Sequence, residues 1–81
     1  MPLDKDVIDK ILDQYPTLEV ILLGGVVGMK MVREVLDIDR WLMQDIYKKL
    51  LLAQAVYGVT TSAFKATPLM IQYIKERRNE A

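Results

Sequence analysis

The sequence predicts an all-α protein: a helical hairpin with a short amphipathic helix before it and a proline-delimited helix after it. Three observations lead there. Apolar residues recur at helical spacing through most of the 81 residues. No run alternates apolar and polar side chains with the period of two that marks a half-buried strand. The breaks fall where helices stop or start, at Pro16, at Asp37-Ile38-Asp39 and at Thr67-Pro68. A chain of this length forms one unit. It is read as residues 1–81, with helices at about 4–14, 18–36, 40–66 and 68–78.

In the first segment Leu3, Val7, Ile8, Ile11, Leu12 and Tyr15 share a face, with acids and lysines between them. Asp4 or Asp6 suits the N-cap, and Pro16 ends the helix because the residue before a proline avoids the α region. Thr17 is read as the next N-cap. Residues 20–29, VILLGGVVGM, then carry no charge and are apolar all round a helix. From Lys30 the pattern becomes one-sided, with Met29, Val32, Val35 and Leu36 together. Asp37 and Asp39 flank a turn that caps the third helix. On that helix Leu42, Ile46, Leu50, Ala53, Val56, Tyr57, Ala63 and Phe64 fall mainly on one side, and residues 50–64 again lack charge. Thr67 as N-cap and Pro68 at the first helical position open the last helix, unless Pro68 only kinks a continuing one. Its stripe is Leu69, Met70, Tyr73 and Ile74.

Composition narrows the job. Hydrophobic residues make up 52% of the chain and charged ones 27%, so the apolar surface exceeds what so short a domain comfortably buries. Lysine plus arginine number 11 and aspartate plus glutamate 11, a balance that argues against nucleic acid as partner. Acids gather early (Asp4, Asp6, Asp9, Asp13, Glu19) and bases late (Lys65, Lys75, Arg77, Arg78), a polarity that head-to-tail contact between copies would use. There is no cysteine and no histidine. The commonest general base, the commonest metal ligand and any disulfide are missing, so no enzyme, cofactor or metal site is expected. No basic stretch leads into an apolar run at the N-terminus, so no secretory signal is expected either.

The uncharged stretches raise the membrane. A spanning helix needs roughly 20 apolar residues. Residues 18–36 are interrupted by Lys30, Arg33 and Glu34, and residues 50–74 by Lys65 and Pro68. Gly24, Gly25 and Gly28 support the reading. The Gly24-to-Gly28 spacing lets helix backbones approach closely, and three glycines would weaken a water-exposed helix. They are the candidate self-association face. Trp41 and Tyr47 flank the loop as candidate membrane-interface anchors. Lys75, Arg77 and Arg78 are candidate contacts for anionic headgroups or a partner. Lys65, the only charge in 50–74, reads as polar-face, and the methionines as core filling.

In size, paired apolar helices and charged tail, the chain resembles small phage and viral membrane proteins, holins among them, and short helical-hairpin virion subunits. No motif carries the resemblance, so no residue role follows from it. The expectation is a non-enzymatic, self-associating structural subunit in a membrane, with copies of itself and a lipid bilayer as partners. The alternative is a soluble helical interaction module or virion shell subunit, cytoplasmic or in the virion, that buries the same faces between protomers or on another protein.

Overall fold

Two stretches that read as continuous helix break, and the breaks make a sheet. The computed structural model describes residues 2–80, so Met1 and Ala81 of the predicted unit lie outside the described residues. Among the described residues the order is α1 (Lys5–Gln14), α2 (Thr17–Leu23), β1 (Val27–Gly28), α3 (Met29–Leu36), α4 (Arg40–Leu52), β2 (Val56–Thr60), β3 (Ala63–Ala66) and α5 (Pro68–Glu80). The all-α hairpin is therefore corrected to a mixed α/β fold with a three-stranded antiparallel sheet, ordered β1-β3-β2.

The first break is at the glycines. Gly24 caps α2, and Gly25 turns through φ 104°, a left-handed conformation that side chains rarely adopt. The chain then extends through β1, and Gly28 becomes the N-cap of α3. Thr17, read as an N-cap, is the first residue of α2, and no side chain caps that helix.

The second break carries no glycine. After Leu52 the Ala55 N–H donates to the Leu50 carbonyl at 2.9 Å and the Gln54 N–H to the Leu51 carbonyl at 3.1 Å. This is the paired reverse bonding that closes a helix through one left-handed residue, usually glycine. Gln54 holds that place with φ 65°. Gln54→Gly is expected to raise stability by about 0.5–1 kcal/mol, seen as a higher urea midpoint. A lower midpoint would show that the glutamine side chain contributes more than its strain costs.

Past this turn β2 and β3 form a hairpin across Thr61-Ser62. Val56 pairs with Ala66, Tyr57 with Lys65, Gly58 with Phe64 and Thr60 with Ala63, and the register slips at Val59. On its other side β3 takes β1, with Val27 opposite Phe64 and Gly28 opposite Ala63. One sheet face, Val27, Val56, Phe64 and Ala66, is buried. Tyr47 of α4 lies against Phe64, ring centres 5.1 Å apart. Gly58 gives it room, since a Cβ there would sit 2.9 Å from the Tyr47 hydroxyl.

The core draws on helices and sheet alike: Ile8, Leu18, Val32, Leu50, Phe64 and Ile74 are all fully buried. The capping side chains hold its edges. Asp4 accepts from the Val7 N–H at 3.4 Å, and Asp39 from the Leu42 N–H at 2.8 Å. Thr67 caps α5 by accepting from the Met70 N–H at 3.2 Å, and its hydroxyl points to the Gln54 and Ala55 carbonyls at 2.9 and 3.3 Å. Pro68 is thus the first residue of a new helix and kinks nothing.

The breaks also end the membrane reading. Among the described residues no helix is long and apolar enough to cross a membrane. The longest have 13 residues, about 20 Å against the roughly 30 Å of a hydrocarbon core. Membrane localisation and the membrane-protein class fall with the spans that carried them.

Candidate functional site

Of the three residue groups singled out in the sequence, the glycines and the basic tail come apart in space. Gly24 ends one helix and Gly28 begins another, so they line no common helix face. Tyr47 is half-buried against Phe64 and Trp41 is 82% exposed at the start of α4, and both line one pocket with Gln44, Asp45 and Lys48. As membrane-interface anchors they have no span to flank among the described residues. Lys75, Arg77 and Arg78 share α5 but not a patch.

Arg77 is taken up inside the molecule. Its guanidinium meets Asp9, Asp13 at 3.1 Å and Glu19 at 3.4 Å, while the Tyr73 hydroxyl donates to the same Asp9 oxygen at 2.6 Å. Lys5 lies over the Tyr73 ring, 5.2 Å from its centre. Desolvation opposes the Arg77 charge, but hydrogen bonds, that to Asp13 foremost, outweigh it and hold the group charged. Burial, with the bond to Asp9, pushes the Tyr73 phenol above its ordinary value. The acidic early segment and the basic tail therefore meet within one chain, clamping α1, α2 and α5. Every member already has a partner, so the cluster reads as a structural ion network.

Among the described residues two surfaces stand out. The first is the outer face of α4. Met43, Ile46 and Leu50 turn into the core, and the opposite side carries the two most exposed large apolar side chains, Trp41 and Leu52, 82% and 77% exposed. They lie eleven residues apart, three helical turns plus about 20°, and so point the same way about 16 Å from each other. Between them stand exposed Asp45 and Lys48, with Gln44 and Lys49 at the flanks. Asp45 and Lys49 are bridged at 3.0 Å, in water, where such a pair adds little.

The second is a groove of about 630 Å³ between the outer side of the β2–β3 hairpin and the outer side of α5. Tyr57 and Lys65, cross-strand neighbours, form one wall; Pro68, Ile71 and Lys75 form the other. Lys65, isolated in the sequence, is half-buried here. Of the predicted contact residues only Lys75 lines this groove. A helix over 40–66 leaves Leu52 as one of several apolar residues on its polar side; the end of α4 at Leu52 sets that side chain apart with Trp41. The visible signal was the spacing of Trp41 and Leu52.

No protein-family model matches the chain, and no curated protein and no solved structure matches it. The fold and its surfaces define a small α/β domain with one apolar-tipped helix face and one lysine-rimmed groove.

Proposed function

We propose that this chain is a non-enzymatic, self-associating subunit whose copies pair antiparallel through the outer face of α4. One observation carries the reading: the face is complementary to itself. Turning a second copy about a two-fold axis midway between residues 46 and 47 sets Trp41 against Leu52 of the other copy. The same rotation brings Asp45 level with Lys48 of the other copy across the narrow strip between the anchors. A two-fold interface demands this match of a patch with itself. Apolar anchors fall at both ends and opposite charges between them, which steers encounter and sets register. The glycine face of the original expectation plays no part.

The contact is one helix face wide, so it is small and the dimer weak. Sedimentation between about 10 µM and 1 mM covers the dissociation constants such contacts give. Asp45→Lys and Lys48→Asp each oppose like charges, twice per dimer, and are each expected to weaken it about tenfold. An equimolar mixture of the two variants restores every opposite pair and is expected to form the heterodimer. A chain monomeric throughout the range would defeat the proposal, as would a dimer indifferent to both reversals.

A further inference from the structure

We infer that the groove between the β2–β3 hairpin and α5 is a binding site for an amphiphilic monocarboxylate, a hydrocarbon body carrying one acid group. Its volume, about 630 Å³, falls within the range of small-molecule sites. The walls offer apolar surface from Pro68, Ile71 and the Tyr57 ring, and two ammonium groups, Lys65 and Lys75, open into the same space. Neither lysine has a carboxylate within salt-bridge distance among the described residues, in contrast to Lys49 and Arg77. Gln72, Glu76 and Asn79 line the same groove, which therefore carries two lysines and one carboxylate.

Charge complementarity selects the occupant. With Glu76 beside the two lysines the groove carries a net charge of +1, so a neutral hydrocarbon would leave one positive charge uncompensated and a cation would be disfavoured. A carboxylate joins one or both ammonium groups while its chain covers Ile71 and Pro68, displacing water from apolar surface. Half-burial of Lys65 makes its pairing worth more than that of a fully solvated lysine. Dianions of phosphate type lack the hydrocarbon needed to use the apolar wall. The groove shares no residue with the α4 face, so this inference and the dimer stand or fall separately.

The test is a titration of the ¹⁵N-labelled chain with decanoate, below its micelle concentration, at a protein concentration where the chain is monomeric. Saturable amide shifts are expected at Tyr57, Lys65, Ile71 and Lys75. Decanol, with the same chain and no charge, is expected to bind about tenfold more weakly. The same loss is expected for decanoate on a Lys65→Gln/Lys75→Gln variant, while Lys10→Gln/Lys30→Gln, which removes as many lysines elsewhere, binds as the parent does. Equal binding of decanol and decanoate to the parent would overturn the inference without reference to any variant. Shifts confined to other surfaces, or no saturable shift, would overturn it too.

Discussion

Phe64→Ala is expected to lower the unfolding free energy by about 4 kcal/mol, the usual cost of emptying a phenylalanine site in a core. Phe64 is fully buried and pairs with strands on both sides, Val27 in β1 and Gly58 in β2. Its ring also carries the Tyr47 contact from α4. Removing it opens a cavity where sheet and helix meet. Small domains hold about 5–15 kcal/mol in all, so the variant sits near its limit and populates the unfolded state at modest urea. Leu52→Ala removes a large apolar side chain that is 77% exposed and is expected to change stability by less than about 0.5 kcal/mol. Urea unfolding followed by circular dichroism separates the two. If both cost the same, the sheet does not hold the core together as described.

Arg77→Met is expected to cost about 2 kcal/mol, between the near-zero of surface pairs and the larger loss when a buried pair is broken. The Arg77 side chain is 22% exposed and faces three carboxylates from two other helices. Without it Asp9, Asp13 and Glu19 repel one another, and the Tyr73 hydroxyl alone remains on Asp9. Salt screens that repulsion, so the gap to the parent should narrow in 1 M salt. Arg78→Met, one residue on and exposed, is expected to fall within about 0.5 kcal/mol of the parent. Equal stability of the two variants would mean that the ion network contributes nothing and that α5 is held by Met70 and Ile74 alone.

The same tail shows where sequence reading reaches its limit. Lys75, Arg77 and Arg78 look alike as a basic run. A helix sends them in three directions, one to the groove, one to the acids of α1 and α2, one to solvent. The acidic start and basic end of the chain were legible as a polarity. That this polarity is satisfied within one molecule required knowing that α5 returns to α1, sixty-eight residues away in the Asp9–Arg77 pair.

By itself the sequence determined the local signals: the amphipathic α1 ending before Pro16, the Asp39 cap of α4, and Thr67-Pro68 opening α5. Each rests on one or two side chains acting on the backbone beside them. It also held the core positions of those helices, because helical spacing alone places Ile8, Leu12, Met70 and Ile74 on inward faces. Tertiary structure decided the rest. Gly24-Gly25 is a helix packing motif or a helix stop according to whether the chain that follows finds a strand to pair with, and Val27 finds Phe64. Residues 56–66 carry β-branched and aromatic side chains, yet they also fit a helical stripe, and no glycine or proline stops α4 before them. Gln54 takes the left-handed turn under strain because β2 and β3 then satisfy each other's backbone groups and bury Phe64. A strand's hydrogen bonds are made with a partner distant in sequence, so no spacing within β1 or β2 could announce the sheet that both help to form.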